Sequence, residues 1–126
     1  MDRAAFERWV AMLRSDDDLT YEDGYACFMS YFEAVRDSPY VDDLIELALK
    51  ETTTEMRYRF VEVLGLSRDS RALPHLQNEL SNPDYNIRFT AYNTLKSEFR
   101  GNPLAKEMVA AFERDNPHED FLEPRG

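Results

Sequence analysis

The feature that most constrains this chain is a self-similarity at an offset of 31 residues. The run Met56-Arg57-Tyr58-Arg59-Phe60-Val61-Glu62-Val63-Leu64 superposes on Ile87-Arg88-Phe89-Thr90-Ala91-Tyr92-Asn93-Thr94-Leu95, repeating an apolar, a basic, an aromatic and a final leucine position. The same offset carries Leu73 onto Leu104. Going backwards, Tyr58 falls on Cys27 and Phe60 on Met29, a weaker match that marks the first unit as a divergent end repeat. A period of this length signals stacked supersecondary units, none of which can bury its apolar face alone.

Prolines and glycines are sparse, and between them apolar residues recur at helical spacing, which predicts seven helices. The first, Arg3 to Arg14, has Asp2 as N-cap and turns Phe6, Trp9, Val10 and Leu13 inward. Ser15-Asp16-Asp17-Asp18 ends it. The second begins at Thr20, in capping-box spacing with Asp23, and carries Tyr21, Tyr25, Phe28, Met29 and Phe32 along one stripe. Pro39 opens a third around Val41, Leu44, Ile45, Ala48 and Leu49. Thr52 and Glu55 open a fourth, burying Met56, Phe60, Val63 and Leu64, with Gly65 within it or near its end. A fifth, near Asp69 to Leu80, uses Leu73, Leu76 and Leu80. Asn82-Pro83-Asp84 then caps a sixth around Ile87, Ala91, Leu95 and Phe99, and Gly101-Asn102-Pro103 starts a seventh around Leu104, Met108, Ala111 and Phe112. The helices form one domain over residues 1–115, and 116–126 reads as a flexible tail in which Phe121-Leu122 could dock on the last helix.

The formal charge is −10, and it lies in the N-terminal half: residues 1–55 hold 14 acids against 5 bases, residues 56–126 hold 11 against 10. Such a field repels nucleic acid and anionic lipid and steers a basic protein into contact, although acids on helix faces also serve solubility alone. No run of about 18 apolar residues occurs, so a soluble, cytoplasmic protein is expected. The single cysteine, Cys27, excludes an internal disulfide and reads as a small buried hydrophobe.

The stretch from Ala72 through Leu95 resembles a HEAT repeat, with Pro74 in the first (A) helix, Asp84 in the turn and Ile87-Arg88 opening the second (B) helix. The resemblance is closest over 69–99, looser over 40–66 and faint over 1–38. It implies an all-α fold, a short α-solenoid of about three HEAT-like hairpins plus a C-terminal capping helix, and a protein partner. It also implies that Arg57 and Arg88 pair with a turn acid such as Asp84. A compact, acidic chain of this kind is similar in type to bacterial immunity proteins that neutralise a basic toxin, to accessory proteins of the phycobilin-lyase type, or to assembly scaffolds.

No catalytic constellation can be assembled, so the chain is not expected to be an enzyme, and no cofactor is implied. His75, at a surface-like position, and His118 lack a second ligand at i+3 or i+4, and the Asp16–Asp18 run lacks the glycine and closing glutamate of a calcium loop, so no metal is expected. The B helices carry the more informative pattern. With Ile87, Ala91 and Leu95 inward, Phe89, Tyr92, Asn93 and Lys96 share the other face of the sixth helix; subtracting 31 gives Tyr58, Val61, Glu62 and Gly65, and subtracting it again gives Cys27, Ser30, Tyr31 and Ala34. This stripe either packs between neighbouring B helices or forms a contact patch. The candidate binding residues are therefore Tyr31, Tyr58, Glu62, Phe89, Tyr92, Asn93 and Lys96, with Asp16, Asp17, Asp18, Glu22, Asp23, Asp42 and Asp43 as the acids that complement a basic partner of a free monomer.

Overall fold

The computed structural model describes residues 1–122 and contains seven α-helices and no strand among them. They are α1 (Arg3–Leu13), α2 (Asp18–Ala34), α3 (Tyr40–Lys50), α4 (Thr54–Ser67), α5 (Leu73–Glu79), α6 (Tyr85–Ser97) and α7 (Pro103–Asp115), with short 3-10 turns at Ser70–Ala72 and Asp120–Leu122. Hairpins α1–α2, α3–α4 and α5–α6 stack so that the B helices α2, α4 and α6 pack side by side, and α7 closes the last hairpin. The result is the short all-α solenoid that the repeat implies.

Helix starts follow the side chains that satisfy the orphan backbone N–H groups. Asp2, Asp17, Thr53, Asp84 and Asn102 each accept from the first turn of a helix. Two expected caps are thereby corrected. Asp17, not Thr20, caps α2, because its carboxylate takes both the Thr20 amide at 3.0 Å and the Thr20 hydroxyl at 2.7 Å. Thr53, not Thr52, caps α4.

The core runs the length of the array through Phe28, Phe60, Leu13, Leu44, Leu64, Leu73, Leu76 and Leu95, all at most 1% exposed; burying each is worth about 2 kcal/mol. The divergent first hairpin compensates for its lack of repeat pattern with rings. Phe6 stacks on Tyr40 at 4.6 Å, Trp9 meets Phe28 edge-on at 5.4 Å, and the Tyr31 hydroxyl shares a 2.6 Å hydrogen bond with buried Ser38.

The arginines implied to pair with a turn acid do not. Arg57 makes a bidentate pair with Glu79 of α5 at 2.7 and 2.9 Å, and Arg88 makes one with Glu119 at 3.1 and 3.0 Å. Asp84 is committed to capping α6 and to the Thr54 hydroxyl, so it ties two successive B helices together at their N-termini. Within the segment read as a tail, Phe121-Leu122 pack against the core and Phe121 stacks on Phe112 of the last helix, the docking that the sequence allows for them. Besides the Arg88–Glu119 pair, Phe121 enters a ring cluster with Tyr85, Phe89, Tyr92 and Phe112 at 5.1 to 5.9 Å. Residues 123–126 of that tail lie outside the described residues.

Two B helices approach closely at Gly65, which lies in the last turn of α4, as expected. A Cβ built there would collide with the Thr94 methyl of α6. Gly65→Ala is therefore expected to destabilise the fold by about 1–3 kcal/mol through overpacking, despite the better helix propensity of alanine. Adding Thr94→Ser, which removes the obstructing methyl, should restore most of the loss; urea unfolding of both single variants and the double variant measures the coupling.

Candidate functional site

The solvent-facing side of the B layer is narrower than the sequence stripe. Val61 and Gly65 are buried against the neighbouring helices, and Tyr92 is only 6% exposed, between α6 and α7, where its hydroxyl donates to the Glu113 carboxylate. Lys96 follows it there, its ammonium 5.0 Å over the Tyr92 ring and donating to the phenol oxygen at 3.2 Å. Tyr31 is half-buried among Trp9, Phe32 and Tyr40. Tyr92 and Tyr31 thus fill seams between packed helices, and Lys96 is exposed on the α7 side of Tyr92.

Four candidates remain on one face. Phe89 is 41% exposed and Asn93 is exposed, both on α6, while Tyr58 and Glu62 are half-buried on α4. Phe89 is held rigidly at the surface, parallel to Tyr85 at 6.4 Å and edge-on to Phe121 at 5.5 Å. Glu62, Phe89 and Asn93 open into a common cleft of about 300 Å³, completed by Tyr25 from α2, by Thr90, Thr94 and Ser97 of α6 and by its C-cap Glu98. Tyr25 also borders a second cleft with Met29, Glu33 and Arg68. Sequence reasoning assigned Tyr25 to the core stripe of α2; the signal available was its hydroxyl, since a tyrosine at the edge of an apolar stripe places its ring inside and its oxygen at the surface.

The acids divide. Asp42 and Asp43 belong to α3 in the A layer and pair with Arg71 and Arg3, both at 2.9 Å, so the structure does not join them to the B face. Asp17 is spent on its cap, and its hydrogen bonds from Thr20 lower its pKa. Asp16, Asp18, Glu22 and Asp23 stay exposed at the start of α2. Glu62 differs from all of these. Burial pushes its carboxyl above the usual carboxylate range, while a hydrogen bond from the Tyr21 phenol and the Arg59 charge pull it partly back. Tyr21 and Tyr25 are themselves raised, first by burial and next by the charge of Glu62.

His75, expected at the surface, is buried at 6% exposure beside Glu79 and Arg57, because the α5 turn that presents Leu76 to the core carries it inward as well. Burial lowers its pKa, holding it neutral. His118 is exposed near the tail. Among the described residues no group of three or more His, Cys, Asp or Glu side chains is placed to hold a metal ion, and no helix is long and apolar enough to cross a membrane.

A family model described as HEAT repeats matches residues 41–121, from α3 to the second 3-10 turn. Comparison with curated proteins and with solved structures gives no match. The matched span leaves out the first hairpin, the part of the chain in which the repeat is faintest.

Because Glu62 binds its proton more tightly folded than unfolded, its contribution makes stability fall as pH rises from the unfolded carboxyl pKa through the raised folded one. Glu62→Gln can still accept from Tyr21 and carries no charge. Its melting temperature near pH 7 should equal or exceed that of the parent, and the difference should shrink towards about pH 4, where free carboxyls protonate. Thermal unfolding at both pH values measures this.

Proposed function

This chain belongs to the HEAT-repeat family, and we propose that it is a non-catalytic, stoichiometric protein-binding module whose B-helix face receives a basic partner. The observation that carries this reading is Phe89. With Tyr85 it presents large rings to solvent, 41% and 43% exposed, in an orientation fixed by stacking, beside a face whose exposed charges on α2 are acidic. Rigid, exposed aromatics make interface anchors at small entropic cost, and the acids of α2 steer a basic surface towards them. HEAT arrays in general mediate protein–protein contact.

The sharper form of the proposal is an immunity protein that covers the active site of a basic toxin. The net charge of −10 and the one-domain size support it. A chromophore-handling accessory role has less support, because Cys27, its only obvious reactive group, lines neither cleft described above.

In capture experiments from the native lysate, a basic protein should be retained in near-equal amount and released by salt. Phe89→Ala should weaken retention by about 2 kcal/mol, that is about thirty-fold, and Asp16→Asn with Asp18→Asn and Glu22→Gln should slow association. Retention unchanged in both variants would refute the B-face reading. Protection of cells from the captured protein would establish the inhibitor form.

A further inference from the structure

We propose that the cleft between α2, α4 and α6 is a seat for a single arginine side chain of the protein partner, with Glu62 as its carboxylate and Tyr25 and Phe89 as its walls. The proposal rests on the protein-binding reading and specifies what the partner inserts.

Three observations carry it. First, Glu62 is the unmatched acid of the fold. Among the described carboxylates that are not exposed, Asp43, Glu51, Asp69, Glu79, Glu98 and Glu119 each meet an arginine within 4 Å, and Asp84 is consumed by its cap and Thr54. Glu62 has a phenol for a partner and no ion pair, although it is desolvated. Arg59, the cation whose charge it feels, is paired to Glu55, and a half-buried carboxylate without a direct ion pair costs stability, a cost that is retained where a ligand removes it.

Second, the cleft is rich in acceptors and has no cationic donor in its walls. No lysine or arginine lines it. Of its hydroxyls, those of Thr90 and Ser97 have spent their protons inside α6, on the Asn86 carbonyl at 2.7 Å and on the Asn93 carbonyl at 2.8 Å, so these two offer lone pairs alone to an incoming group. With Glu62 and the Asn93 amide oxygen, these acceptors call for a ligand that donates in several directions.

Third, aromatic faces from two different helices flank these acceptors, Tyr25 from α2 and Phe89 from α6. A guanidinium is the side chain that stacks on rings and donates five hydrogen bonds from one plane; an ammonium does the second more poorly and the first less well. The volume of about 300 Å³ is at the small end for ligand sites and accommodates a side chain.

N-acetyl-arginine amide, titrated into isotope-labelled protein and followed by backbone amide shifts, should give saturable changes at Glu62, Phe89 and Asn93. The neutral isostere N-acetyl-citrulline amide should not. Glu62→Gln should weaken the arginine probe about ten-fold or more, and Glu107→Gln, exposed on α7 away from the cleft, should leave it unchanged. Equal shifts with the citrulline probe, or an arginine response that survives Glu62→Gln, would overturn the proposal. In partner capture, retention that needs Phe89 but not Glu62 would refute the arginine seat while leaving the protein-binding reading intact; retention indifferent to both would refute that reading as well.

Discussion

The Arg59 side chain, 3% exposed in the middle of α4, holds the array together. Its guanidinium donates to the carbonyls of Leu13 and Ser15 at 2.8 and 2.9 Å, the orphan acceptors at the C-terminal end of α1, where the helix dipole also favours a cation. It pairs with Glu55 at 2.8 Å and lies 4.2 Å from the Tyr21 ring centroid. One side chain on the first well-formed B helix thus fastens both helices of the hairpin that lacks the repeat pattern. A buried guanidinium with these acceptors removed would be an uncompensated charge, so α1 and α4 are joined by mutual need. Only its Nε is left without a partner.

The same helix explains why the repeat was legible and the site less so. Period and caps are local: Asp84, Asn102 and Pro103 act on the backbone within a turn of themselves, and the inward leucines are fixed by a 3.6-residue period. Which ring of a stripe meets water depends on the distance between helices, which no single helix encodes. Gly65 sets that distance on one side of α4 and thereby admits Thr94. Tyr92 and Tyr31 were indistinguishable from Phe89 by pattern alone; the first two fill seams, and the third lies beyond the seam. Likewise Arg57 and Arg88 could be read as structural, but their partners lie in a neighbouring helix and in the tail, out of reach of spacing arguments. Asp42 and Asp43 differ from Asp16 and Asp18 only through the arginines that the stacking brings to them.

The remaining B face therefore combines two kinds of group that a fold does not need. Phe89 exposes apolar surface that solvent disfavours, and Glu62 withdraws a charge that solvent favours. Each departs from the rule that places the other groups of its type in this chain, and they share one cleft. Proteins tolerate such departures where binding compensates for them, which is why the pair and not the acidity at large is the ground of the proposed binding surface.

The docked segment after α7 has a consequence for the length of the array. Within it, the B-helix arginine at position 57 finds its carboxylate on the A helix of the following hairpin, at Glu79. The position 31 residues after Glu79 is Ala110, which can answer nothing to Arg88. Glu119 answers from beyond the helix, and Phe121 covers the rings of α6 that another hairpin would otherwise cover. The segment takes the place of the leading edge of a repeat without being one, and seven residues, 116–122, thereby cover part of the apolar end of α6 as a following hairpin would otherwise do.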